Sequence, residues 1–335
     1  MVRDLIAIAQ IPAPTFAEEP RLAWLERRLD TEPGTFERDA VGNLIWRLAD
    51  GPVDTLLLAH VDTVFDAATA LAVGEEDGWL HGAGVGDNAA AIAVALAVAP
   101  ALAGRPLAVA FTVGEEGLGN LRGALNACAT LRPARAIALE GHGLDEVCVD
   151  AVGSTRGRIV IERPGGHSWW DRGRPSAIHD LIEACSDLLH SSTPAAPINI
   201  GLVDGGTAVN AIAARAEALV ECRSLDQAAL DAFAHRLEGN GAEVVGRRPA
   251  GRLDRADPLL AAVRAARAEL DLPDVLGDGS TDANAALHHG IPALSLGCAR
   301  GHDMHARTER IERASLDLGV RQLDGTLRRL LKEAR

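Results

Sequence analysis

The feature that most constrains this chain is a series of short apolar runs, each of strand length, that alternate with helix-length runs and end in histidine or a carboxylate. Thr55–Asp62 reads as a buried strand. Asn88–Leu102 is Ala-rich and long enough for a helix, and Leu107–Val113 and Ala134–Leu139 read as further strands. This alternation predicts an α/β fold, a mostly parallel sheet flanked by helices. In such sheets, sites form outside the carboxyl ends of the strands.

The texture changes near Gly153. Arg158–Glu162 and Ala211–Arg223 alternate polar and apolar residues, as half-exposed strands do, while Ala177–His190 and Ala228–Leu237 read as helices. Ala242–Arg247 closes the set. The order predicts a small ferredoxin-like α+β domain over 153–251, inserted into a larger domain of 1–152 and 252–335. The α/β texture resumes with a helix over Pro258–Leu270, a strand over Pro292–Leu296 and a helix over Leu316–Lys332.

Of the 335 residues, 47% are apolar, enough for a sizeable core. Lys and Arg total 33 and Asp and Glu 47, so the net charge is 33 − 47 = −14. That balance argues against nucleic acid or an anionic membrane as partner. No apolar run reaches the length of a membrane span, and the start is a poor signal peptide. The five cysteines at 128, 148, 185, 222 and 298 are odd in number and lack C-x-x-C spacing. Reduced thiols in a cytoplasmic protein are the expectation.

The chemistry-bearing residues sit at the strand ends. His60 and Asp62, two apart in an extended segment, point the same way. Asp87 precedes the Ala-rich helix in a glycine-rich loop; it could cap that helix or hold cations. Glu115 and Glu116 diverge as neighbours, so one can bind metal while the other serves as general base. Glu140 ends the next strand with His142 as its rival, and His305 competes with His302. Each residue also has an ordinary reading, as a polar strand end, an acidic turn or a surface histidine. Together they offer mixed nitrogen and oxygen ligands at successive strand ends, which suits zinc, with cobalt or manganese as alternatives.

These segments, in order, resemble the dinuclear zinc peptidase family of aminoacylase, acetylornithine deacetylase, succinyl-diaminopimelate desuccinylase, glutamate carboxypeptidase and peptidase T. The matching residues are His60 and Asp62, Gly86–Asn88, Gly114–Glu116, Glu140, Gly165–Ser168, Asn210, Arg223, and His305 followed by Glu309. The resemblance implies two divalent ions, with His60 and Glu140 on one, Glu116 and His305 on the other, and Asp87 bridging. Asp62 would orient His60. Glu115 would take a proton from the metal-bridging water that attacks an amide carbonyl. The insertion would be the lid and dimerisation domain of a homodimer. His167 would stabilise the oxyanion, often from the partner subunit, and Asn210 and Arg223 would contact the substrate, a small N-acylated amino acid or short peptide. Glu140, rather than Asp, leans toward deacylases and carboxypeptidases over dipeptidases.

The chain departs from the family pattern at Ala89-Ala90, where Lys-Gly is usual, and at Ala306, where Ser or Thr is usual. Trp169-Trp170 after His167 is unusual and offers an aromatic wall or simple packing. A catalytically silent, metal-bound binding module is the alternative function. The presence of Glu115 and all five ligand positions argues against it, and the lack of a Gly-Lys phosphate loop argues against a phosphoesterase.

Overall fold

The computed structural model describes residues 1–331, so Lys332, the last residue of the helix expected at the end, lies outside them. The chain divides into two compact units, Met1–Ala151 with the chain from Arg252 onward, and Val152–Gly251.

The larger unit is built on a nine-stranded sheet among the described residues. Its centre runs Leu107–Thr112, Thr55–His60, Arg135–Glu140, Ala293–Gly297, all parallel. The flanks are antiparallel: Leu44–Arg47 pairs with Leu107–Thr112, and Val147–Ala151 with Ala293–Gly297. The sheet is therefore mixed at its flanks and parallel where the site residues are carried. Residues alternate between two cores, as the strand period requires. Leu57, Ala59, Val109, Phe111, Ile137 and Leu139 face one cluster, and Leu56, Leu58, Ala108, Ala110, Ala136 and Ala138 the other. Each fully buried Leu or Val contributes about 1.5–3 kcal/mol of apolar transfer.

The helix expected over Asn88–Leu102 is α-helical only over Ala89–Val98; Ala99–Leu102, holding Pro100, tightens into a 3₁₀ turn. Of its ten α-helical residues only Ala97 is not buried, which is why its sequence shows no polar face. Ala89 and Ala90, the departure noted above, are both wholly buried.

The smaller unit is a four-stranded antiparallel sheet ordered Ile198–Gly205, Arg215–Ser224, Gly153–Glu162, Glu243–Arg248. With helices Ala177–His190 and Gln227–Gly239 this is the βαββαβ pattern of a ferredoxin-like sandwich. Ala216, Ala218, Val220 and Cys222 turn inward onto the helices. The single strand expected over Ala211–Arg223 is two: Ala211–Ile212 pairs with Gly166–His167, and Arg215–Ser224 joins the main sheet. No cysteine is disulfide-bonded. Among the described residues no helix is long and apolar enough to cross a membrane.

Candidate metal centre

Parallel register puts the strand ends on one edge. His60 lies opposite Thr112, and Gly297 opposite Glu140. His60 and Glu140 are thus last residues of neighbouring strands, and Glu115–Glu116 follow the end of a third. Asp87 arrives on the loop before the buried helix, and His305 on a loop where its own backbone is left-handed, φ 66°.

These five side chains converge. Asp87 Oδ1 is 3.0 Å from His60 Nε2, and Asp87 Oδ2 is 3.0 Å from His305 Nε2. His305 Nε2 is also 3.3 Å from Glu116 Oε1, and His60 Nε2 is 3.9 Å from Glu140 Oε2. One ligand atom each from His60, Asp87 and Glu116 falls within 4.8 Å of the others. Asp87 therefore has one oxygen facing a His–Glu pair and the other facing a second His–Glu pair.

The electrostatics follow from burial. Burial alone would raise the Asp87 carboxyl, but its bonds to His305 and His60 hold it far below the usual carboxylate range. Burial also pushes Glu140 well up, aided by the charges of Asp87, Glu115 and Asp282 and opposed by His60. Burial lowers His60, yet Asp62 and Asp87 beside it win and raise it. His305 is raised to about 10 by its bonds to Asp87 and Glu116. Three carboxyl groups, Asp87, Glu116 and Glu140, around two imidazoles are an acidic excess that divalent cations would offset, and the donors are the nitrogen and oxygen types such ions take. The residues fit a two-metal centre.

Behind this shell lie two carboxylates that hold backbone. Asp62, wholly buried, accepts from the amides of Glu115 and Glu116 at 3.0 and 2.9 Å and from Thr15 Oγ1 at 2.9 Å. His60 Nδ1 donates to the main-chain carbonyl of Asp62 at 3.1 Å, with Oδ1 at 3.6 Å. So Asp62 orients His60 mainly through its backbone, while its carboxylate fixes the Glu115–Glu116 turn. Burial would raise Asp62; His60 and the two amides lower it, so it stays ionised.

Glu309 does the same for the Asp87 loop. It is wholly buried and accepts from the amides of Gly84, Gly86 and Asp87 at 2.6, 3.0 and 2.8 Å. His142 Nε2 donates to it at 2.7 Å. Gly86 must be glycine here: a Cβ would lie 2.2 Å from His142 Nε2 and 2.6 Å from Glu309 Oε1. His142 thus braces the loop behind the shell, while its rival Glu140 faces His60. His302 stacks on Trp79 at 5.4 Å, whereas His305 faces Asp87.

Sequence reasoning missed Glu18 and Arg21. Glu18 accepts from the amides of Gly114 and Phe16, each at 3.0 Å. Arg21, wholly buried, donates to the carbonyls of Ile11 and Val61, each at 2.9 Å. Burial lowers it to about 10 against the raising charges of Asp62, Asp87 and Glu309. The signal was available: Glu18 and Arg21 share the buried stripe of Leu22, Leu25 and Leu29, where charged residues are out of place unless paired.

Three expected site residues lie in the smaller unit. His167 sits opposite Ala211, and the Ser168 amide donates to the Asn210 carbonyl at 3.0 Å, so His167 and Asn210 are neighbours. The amides of Trp169 and Trp170 point at His167 Nδ1 at 3.2 and 3.4 Å. Nδ1 is therefore the acceptor, which leaves Nε2 to carry the ring hydrogen. Arg223 is near the far end of the strand Arg215–Ser224, about 26 Å from Arg215 at the usual rise, where its Nε donates to Glu221 at 2.8 Å. Within this unit Arg223 is not brought to His167.

Comparison with known proteins gives the fold and the family. An acetylornithine deacetylase of Photorhabdus laumondii is 31% identical over 206 residues, 55% of this chain and 53% of that protein, so the match spans about half the relative's length. A tripeptidase of Staphylococcus aureus shares the fold with a TM-score of 0.82 at 19% identity, covering 99% of this chain and 98% of that one. YXEP of Bacillus subtilis, a dinuclear metal-binding peptidase, does so with a TM-score of 0.66 at 19% identity, covering 97% and 95%. The pattern of one peptidase family matches residues 56–329, a span that holds all five converging side chains and the inserted unit. On that match this chain belongs to peptidase family M20/M25/M40.

Proposed function

We propose that the chain is a dinuclear metal-dependent hydrolase that cleaves an amide bond of a small N-acylated amino acid or short peptide. The observation that carries this is Asp87, with its two oxygens each 3.0 Å from a different histidine. His60 and Glu140 would hold one ion, Glu116 and His305 the other, and Asp87 both; zinc is the expected metal, with cobalt or manganese as alternatives. The ions would polarise the substrate carbonyl and activate a water nucleophile.

Glu115 is the general base in this reading. It is buried, and its amide is fixed by Asp62. Its charge reaches both His60 and Glu140. It would accept a proton from the attacking water on a carboxylate oxygen and return it to the leaving nitrogen. His167 would donate its Nε2 hydrogen to the developing oxyanion. Asn210, the neighbour of His167, would contact the substrate, and Arg223, remote from both within one unit, would bind a substrate carboxylate only where a different subunit of the homodimer supplies His167 and Asn210. The outer strand Ile198–Gly205, with Leu202 and Val203 exposed, would form the homodimer face of the lid. Five unpaired cysteines support a cytoplasmic setting.

Deacylase and peptidase action share this centre and differ only in what flanks the amide. A hydrolysis panel of N-acetyl, N-succinyl and dipeptide substrates with zinc, cobalt and manganese separates them. Glu115→Gln should keep its metal and melting temperature and lose about 10²- to 10⁴-fold in kcat. Near-wild-type turnover in that variant would remove Glu115 as base.

A further inference from the structure

Five large hydrophobic side chains are exposed in the larger unit among the described residues: Phe16, Val64, Leu118, Val275 and Met304. Four of the five adjoin the metal centre along the chain, two of them next to ligands and two next to Asp62, which braces the centre. Val64 follows Asp62 by two residues, Leu118 follows Glu116 by two, and Met304 directly precedes His305. Phe16 adjoins Thr15, whose hydroxyl bonds Asp62 at 2.9 Å. Two consecutive steps along a chain span at most about 7 Å, so the backbones of Val64, Leu118 and Met304 lie close to a residue of the centre or its brace, and the Thr15–Asp62 bond brings the backbone of Phe16 near as well. Their exposures are 63% for Phe16, 45% for Val64, 47% for Leu118 and 53% for Met304. Scattered exposed apolar residues need no explanation, but here four of the unit's five adjoin, along the chain, ligands or braces of one centre.

Phe16 adds a second argument. Its φ is 73°, a left-handed conformation that costs a bulky residue energy. Burial of the ring does not repay that cost, since the ring is mostly exposed. The segment is instead tied in place: the Phe16 amide donates to Glu18, Pro14 bridges to Thr63, and the Arg122 guanidinium lies 5.5 Å from the ring centroid. The strained conformation holds an exposed aromatic ring in the residue next to Thr15, which bonds Asp62, and such an outlier is the kind that marks function.

We infer that Phe16, Val64, Leu118 and Met304 form an apolar rim that selects substrates with an aliphatic or aromatic group next to the scissile amide. This rests on the amide-hydrolase reading above and names its substrate class. The group could belong to the acyl side or to the amine side of the bond, and two substrate series tell these apart.

The first series is the acetyl, butanoyl, hexanoyl and octanoyl amides of alanine; the second is N-acetylated alanine, valine, leucine and phenylalanine. In one of them kcat/KM should rise by up to about fourfold per added methylene, the ratio for full burial of a CH₂ group. The triple variant Phe16→Asn, Leu118→Gln, Met304→Gln should flatten that slope. Asparagine tolerates φ 73°, so the loop is kept. Binding of butanoate, hexanoate and octanoate to the zinc-loaded wild-type protein, measured by calorimetry, reads the rim without turnover. Affinity there should climb with chain length and stop climbing in the variant. Flat or falling dependence in every series overturns the rim. A loss of equal size at every chain length would assign these side chains to contacts within the protein and also overturn it. Absence of hydrolysis alongside chain-length-dependent binding would instead reject the amide-hydrolase reading and keep the rim.

Discussion

His60 and His305 stand at the same distance from Asp87, 3.0 Å, yet the two sides of that carboxylate are built differently. His60 ends a strand in the middle of the sheet, its side chain is 3% exposed, and its second nitrogen is fixed by the Asp62 carbonyl. His305 rides a loop in left-handed conformation and its side chain is 49% exposed. The first half of the centre is set by the sheet; the second is set by a loop that reaches over it. The His60 side would therefore hold its ion more tightly, and the His305 side would leave its ion open to solvent and exchange.

Asp87 serves both halves, so loosening it should blur the comparison. Glu309→Gln replaces a carboxylate that accepts four hydrogen bonds with an amide that can match only part of them. Loss of such outer partners costs about 10- to 100-fold in metal affinity. Competition titration with a chromophoric chelator should show that loss on both ions, with the melting temperature of the loaded protein recovering at saturating zinc. A loss confined to one ion would mean that Glu309 acts on one half only.

A smaller effect should appear with pH. In the metal-free protein His305 is raised to about 10 by Asp87 and Glu116, while an unfolded histidine titrates near 6.5. The stabilisation is complete below about 6.5 and is lost as pH rises toward about 10. Burial lowers His60, but Asp62 and Asp87 raise it overall, and burial raises Glu140; both act with the same sign. The metal-free melting temperature should fall between pH 7 and 10 more steeply than that of the zinc-loaded protein, in which the imidazoles are neutral ligands. His305 is half exposed, so solvent screens its share and the difference should be modest. Parallel melting curves would contradict the pairing.

The half of the site that the sheet sets was legible in the sequence, because His60 and Glu140 end continuous apolar runs of strand length. The glycine-rich loop and Glu115–Glu116 were legible as local motifs. Asp62 was expected as the support of His60, but the way the braces work, through main-chain amides, was not legible. Asp62 and Glu309 hold main-chain amides more than 50 and more than 220 residues away, and a backbone acceptor leaves no pattern in the side chains of its partners. By position alone His142 and His302 rivalled Glu140 and His305, and only the family resemblance chose between them; in the structure what separates them is Glu309 and Trp79, distant in sequence. The N-terminal helices Val2–Ala9 and Glu19–Leu29 went unread, and with them Glu18 and Arg21. The antiparallel flanks escaped too, since pairing direction is set by connections rather than by the composition of a strand.

The central claim, two ions shared by Asp87 and held unequally, is tested most directly by counting zinc per chain in the wild type, His305→Ala and His60→Ala after dialysis against a weak chelator. The account predicts two ions in the wild type, one in His305→Ala, and a larger loss in His60→Ala. One ion in the wild type, or loss of both in His305→Ala with the other variant unaffected, would contradict it.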